Sequence, residues 1–119
     1  MKILLAQLPL EVHSRGMNSV AKLLRDAGHE VIVLGNATTM QILKSALDEN
    51  VDAIGISAYC GGELERCEFI GDWCDRNWPG VKLMVGGCIG EPDKLEAAGF
   101  AVFETGCNPA SILSYLDKP

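Results

Sequence analysis

Basic side chains and aromatics are scarce in this 119-residue chain, and no paired-cysteine motif occurs. Lys and Arg number 10 against 16 Asp and Glu, for a formal net charge of −6. Binding to nucleic acid needs clustered positive charge, so that class of partner is excluded. Apolar residues make up 48% of the chain, yet no run approaches the ~18–20 residues that span a bilayer, and no membrane partner is expected. The opening segment MKILLAQLPLEVHSRG carries one lysine and a short apolar stretch followed by Gln7 and Glu11. It reads as a first strand and not as a signal peptide. The five cysteines (Cys60, Cys67, Cys74, Cys88, Cys107) are odd in number and never form CxxC, which argues against a zinc site or a thioredoxin-like pair. Free thiols without a secretion signal place the chain in a reducing compartment, the cytoplasm. The length is that of one domain, 1–119, since domains commonly run ~100–150 residues. Thirteen glycines against seven aromatic residues suggest tight turns and few bulky anchors.

What is present is a strand–helix alternation. Lys2–Gln7 is a short apolar run, as in a strand covered on both faces. Gly16–Ala27 has helical spacing through Val20, Leu23, Leu24 and Ala27 and stops at Gly28. Strands are expected at Glu30–Leu34, Asp52–Ser57, Val81–Val85 and Ala101–Phe103. Helices are expected at Thr39–Glu49, Glu63–Asn77, Glu91–Ala98 and Pro109–Leu116, with Thr38 or Thr39 capping the first of these and Asn108 the last. Cys67 and Cys74, seven residues apart, share one stripe of their helix and read as small core hydrophobes. Five such units predict an α/β fold: a flavodoxin-like, doubly wound, five-stranded parallel sheet of order 2-1-3-4-5 in three layers.

In open α/β sheets ligands bind beyond the carboxyl ends of the strands. The segments expected there are 8–15, 35–38, 57–62, 86–90 and 104–108, and four of the five contain glycine. The first is longer than the usual ~2–6 residues of such a connection. Familiar chemistries of this topology fail on inspection. After the first strand stands LPLEVHSRG instead of GxGxxG, and a Walker A loop is absent. A phospho-acceptor site would need carboxylates where Gln7 and Ser57 stand. The first loop does hold Glu11-x-His13-x-x-Gly16. A metal-ligating imidazole usually gives its second N–H to a carboxylate, and Glu11 lies two residues from His13. The other histidine, His29, falls at the opposite edge and reads as a surface residue.

These residues resemble the cobalamin-binding domains of methylmalonyl-CoA mutase, glutamate mutase and methionine synthase. The signature of that family is DxHxxG, then SxL, then GG. Here it reads Glu11-Val12-His13-Ser14-Arg15-Gly16, Ser57-Ala58-Tyr59 and Gly86-Gly87, with Glu11 in place of the aspartate and Tyr59 in place of the leucine. RDAGHEVI, ENVDAIGIS and VKLMVGG extend the likeness over nearly the whole chain. The resemblance implies that His13 is the lower axial ligand of cobalt, displacing the cofactor's own benzimidazole base. It further implies that Gly16 lets the displaced nucleotide tail pass and that Ser57 hydrogen-bonds the base. Gly86 and Gly87 would line the tail's slot, with Ser14, Arg15, Tyr59, Gly61, Thr105 and Gly106 completing the cofactor-binding set.

Two functions follow from the resemblance. The first is the small subunit of an adenosylcobalamin-dependent carbon-skeleton mutase, an isomerase subunit inactive alone and without catalytic residues of its own. It would hold the corrinoid base-off and His-on against a larger (β/α)₈-barrel subunit. The second is a corrinoid carrier for methyl transfer, with methylcobalamin as cofactor. Carriers usually have a helical cap before this domain, and this sequence opens on its first strand, so the mutase is the expectation.

Overall fold

A computed structural model describes residues 1–8, 15–59 and 63–118, apart from the side chains of Arg15 and Tyr59. Its elements are β1 (Lys2–Gln7), α1 (Arg15–Asp26), β2 (Glu30–Asn36), α2 (Thr39–Glu49), β3 (Ala53–Tyr59), α3 (Glu63–Asn77), β4 (Lys82–Cys88), α4 (Pro92–Ala97), β5 (Ala101–Glu104) and α5 (Ala110–Leu116). The sheet is parallel throughout, in the order β2-β1-β3-β4-β5. The expected fold class is the one observed.

Alternation along each strand divides the core in two. Leu4, Ala6, Ile54, Ile56, Leu83 and Val85 point to one side, where Ile42 and Leu43 of α2, Cys67 and Ile70 of α3 and Leu95 of α4 cover them. Ile3, Leu5, Ala53 and Met84 point to the other, under Met17, Ala21 and Leu24 of α1 and Ile112 and Leu116 of α5. The helices on the first side pack on one another. Gly71 brings α3 against the end of α4, and a side chain there would run into the Ala98 carbonyl. On the second side α1 and α5 stand apart.

Local signals explain the element ends. Thr38 Oγ1 accepts from the Gln41 N–H at 3.2 Å while Gln41 Oε1 accepts from the Thr38 N–H at 2.9 Å, a reciprocal cap that starts α2. Asn50, at φ 51°, ends the same helix in the left-handed region. Pro109 and not Asn108 occupies the cap position of α5, but Asn108 Oδ1 still accepts from the Ala110 N–H at 3.0 Å. The Tyr115 hydroxyl donates to the Leu83 carbonyl at 3.2 Å and the ring meets Phe103 edge-on, so the last half of α5 is moored to the sheet.

The strands run further than the sequence suggests. β3 continues to Tyr59 instead of ending at Ser57, β4 to Cys88 instead of Val85, and β2 to Asn36 instead of Leu34. Glycines at 35, 86 and 87 read as turns in isolation. In the sheet, ladder pairing outweighs that tendency: Ser57 pairs with Gly86, Ala58 with Gly87 and Tyr59 with Cys88. Ser57, Gly86 and Gly87 therefore sit on rigid strand ends and not on loops.

Candidate functional site, a groove between two helices and the sheet

The gap between α1 and α5 is a groove of about 520 Å³ floored by β1, β3, β4 and β5. Its floor follows from register. On the groove face Leu5, Gly55, Met84 and Ala101 form one row across the sheet, and Gln7, Ser57, Gly86 and Phe103 the next toward the strands' carboxyl ends. Small residues thus run diagonally through Gly55, Ser57 and Gly86. Leu5 Cδ2 and Met84 Cε close over the missing side chain of Gly55, 2.7 and 3.3 Å from where its Cβ would lie.

Of the residues singled out in the sequence, Gly16, Ser57, Gly86, Gly87, Thr105 and Gly106 all line this one groove. Glu11, His13, Ser14 and Gly61 lie outside the described residues, as do the side chains of Arg15 and Tyr59. The glycines differ in what requires them. Gly87 has φ +121°, and a Cβ there would strike the Ala58 carbonyl oxygen, so backbone and packing both demand it. Gly86 is hemmed by the Phe103 carbonyl oxygen, 3.1 Å from a would-be Cβ. Gly106 turns the chain at φ +93°, after the Thr105 N–H donates to the Gly87 carbonyl at 3.1 Å. Gly16 has neither constraint: its φ is not left-handed, and among the described residues no packed neighbour lies within 4 Å of its would-be Cβ.

Ser57 is half-buried, and its hydroxyl has no hydrogen-bond partner among the described residues. The walls sequence reasoning did not assign are Leu5, Met17, Val20, Leu23, Met84, Phe103 and Ile112. Periodicity marks them as core, but the parting of α1 and α5 leaves no trace in it. Gly55 did carry a signal, since it lies two residues before Ser57 on the same strand face, and a glycine inside a buried strand often marks a close approach.

A B12-binding domain model matches residues 1–114. The chain belongs to the B12-binding domain family. Among its relatives, the small subunit of 2-hydroxyisobutanoyl-CoA mutase from Aquincola tertiaricarbonis is 35% identical over 98 residues, covering 82% of this chain and 71% of that one. The pivalyl-CoA mutase small subunit of Xanthobacter autotrophicus is 34% identical over 102 residues, covering 83% and 69%. A cobalamin-binding protein from Desulfitobacterium hafniense shares the fold, with a TM-score of 0.82 at 22% identity over 97% of this chain and 56% of that one. Cobalamin is the cofactor of this family, and the groove fits its nucleotide tail. It offers a largely apolar space, open room at Gly16 among the described residues, and the Ser57 hydroxyl for a ring nitrogen.

Among the described thiols only Cys107 lines the groove, and Cys60 lies outside the described residues. Burial pushes the Cys67 thiol up to about 12, with the Glu63 carboxylate adding to the effect, and burial pushes Cys74 up to about 11. Cys88 and Cys107 are exposed, and Cys107 lines the groove. At pH 8, iodoacetamide is expected to label Cys88 and Cys107 in the native protein and to spare Cys67 and Cys74 until urea is added, because the thiolate is the reactive form. Peptide mass spectrometry reads the outcome. Labelling of Cys67 as fast as Cys88 would contradict the packing described. Among the described residues, no helix is long and apolar enough to cross a membrane.

Proposed function

We propose that this chain is the cobalamin-binding small subunit of an adenosylcobalamin-dependent carbon-skeleton mutase acting on an acyl-CoA in the cytoplasm. Its partner is a larger catalytic subunit, a (β/α)₈ barrel that binds substrate. The observation that carries the reading is the convergence of Gly16, Ser57, Gly86, Gly87, Thr105 and Gly106 on one apolar groove. The two CoA-mutase small subunits, each covered by this chain over more than two thirds of its length, supply the reaction class.

Each residue then has a task. Gly16 admits the nucleotide tail at the start of α1. The Ser57 hydroxyl donates to the ring nitrogen of the displaced base, giving both buried polar atoms a partner. Gly86 and Gly87 keep the floor low, and the 105–106 turn closes the side under β5. His13 would ligate the cobalt, and Glu11 would accept the imidazole's other N–H, fixing the tautomer. Ser14, Arg15, Tyr59 and Gly61 would complete the cofactor-binding set. The cofactor supplies radical chemistry through its cobalt–carbon bond, while the chain holds and orients it.

The test is electron paramagnetic resonance of the protein loaded with Co(II) cobalamin, with and without ¹⁵N-histidine. The axial nitrogen splitting is expected to change with the label and to vanish in His13→Ala, while Cys67→Ala retains it. A splitting indifferent to the label would exclude His13 as ligand.

A further inference from the structure

We infer that Asn36 is a positioning residue for cobalt ligation: its carboxamide holds the point from which the chain leaves β1 toward His13. The inference rests on the ligation reading above and concerns what keeps the ligand in place.

Residues 9–14 join Leu8 to α1 and include Glu11 and His13. Leu8 is held in three ways. Its side chain is buried, its N–H donates to the Ser57 carbonyl at 3.4 Å, and its carbonyl accepts from Asn36 Nδ2 at 3.0 Å. The third contact has a special weight because of the residue that follows. That carbonyl belongs to the Leu8–Pro9 peptide, and proline has no N–H. The carbonyl is therefore the one hydrogen-bonding group by which this peptide plane can be held, and Asn36 holds it. A proline ring also limits its own φ to about −65°, so the direction set at Leu8 carries one residue further. Only Leu10, Glu11 and Val12 then separate the fixed part of the chain from His13.

A bulge delivers the amide. Leu5 pairs with Val33 but Ala6 pairs with Gly35, so Leu34 is an extra residue in β2. In unbroken register Asn36 would stand opposite Leu8; with the bulge it stands opposite Gln7. Gly35 takes φ +81° there, a conformation that glycine adopts at little cost. The Ala37 N–H then donates to the Gln7 carbonyl at 2.9 Å, so the backbone is pinned on both sides of Asn36. The holder is as rigid as what it holds.

Ligation gains from this in a definite way. A histidine on a chain already held at its root surrenders less freedom when it binds cobalt. One side-chain hydrogen bond of this kind is worth roughly a two- to tenfold change in an equilibrium constant. A weakening of ligation by about fivefold is therefore expected when the amide is lost.

The test is exchange of the lower ligand. The purified chain is loaded with cyanocobalamin and titrated with cyanide, which takes the lower position on cobalt from the imidazole, and the visible spectrum follows the conversion. Asn36→Leu and Asn36→Asp both lack the N–H donor, the first without adding charge and the second without changing shape. In each the cyanide midpoint is expected to fall about fivefold. Thr38→Ala removes the side-chain cap of α2 two residues further on; it should lower the melting temperature and leave the midpoint where it is. An unchanged midpoint in both Asn36 variants, with the wild-type axial splitting sensitive to ¹⁵N-histidine, would overturn the role of Asn36 and leave ligation by His13 standing. An equal fall in Thr38→Ala would also overturn it, since general loosening would then be the cause. If the wild type converts at the same cyanide concentration as His13→Ala, that histidine does not hold cobalt, and both readings fall.

Discussion

Gly16→Leu is expected to leave the protein folded and to reduce cobalamin affinity by more than 100-fold. The backbone does not need glycine at this position, since its φ is ordinary, and packing among the described residues does not need it either, since none of their packed atoms lies within 4 Å of the would-be Cβ. Leucine is in fact the better helix former by up to about 0.8 kcal/mol, so α1 should not suffer. The new side chain would project into the groove that Gly16 lines, where it competes for the space through which the tail must pass. Thermal denaturation of the cofactor-free protein, paired with a cobalamin titration, checks both halves. Unimpaired binding in a folded Gly16→Leu protein would remove the groove from the site.

Gly87→Ala should do the opposite, damaging the fold before any ligand is considered. At φ +121° an L-residue is strained by about 1–3 kcal/mol. The new Cβ also collides with the Ala58 carbonyl, a backbone atom near the carboxyl end of the β3–β4 ladder that can yield only if the strands separate. A total of about 3 kcal/mol is expected, a large share of the ~5–15 kcal/mol that holds a domain together. For a chain of this size that is a fall of roughly 10 °C in melting temperature. A loss under about 1 kcal/mol in urea denaturation would mean that the strand ends are looser than described. Together the two variants separate glycines kept for the ligand from glycines kept for the chain.

Much of the fold is legible because its signals are local. The bounds of α2 and α3 coincide with the expected ones, since Thr38 and Gln41 cap the first and Pro79-Gly80 follow the second. The doubly wound sheet follows from right-handed parallel crossovers, and the order 2-1-3-4-5 is the common solution at this length. The carboxyl ends of β2, β3 and β4 are misjudged where glycine's preference for turns is overruled by long-range pairing, which no short window contains. The site divides in the same way. Gly16, Ser57, Gly86 and Gly87 stand out through a spaced signature, and one groove gathers them. Leu5, Met84, Val20 and Ile112 do not, because an apolar residue facing an empty slot and one facing a packed neighbour have the same periodicity. What distinguishes them is the distance between two helices far apart in sequence.

That separation of α1 from α5 bears on how the protein survives before it is loaded. On one side of the sheet the hydrophobic core is closed by α2, α3 and α4; on the other the buried side chains of Met17, Met84 and Ile112 also line the groove. On the function proposed above, a tail seated there would cover these side chains, and the cofactor would act as a structural member as well as a reagent. Ligand at a hundred times its dissociation constant adds about 2.7 kcal/mol to the folded state. Corrinoid supply would then govern the lifetime of the chain itself: without it the chain would unfold more easily and lie open to proteases, and with it the chain would be durable.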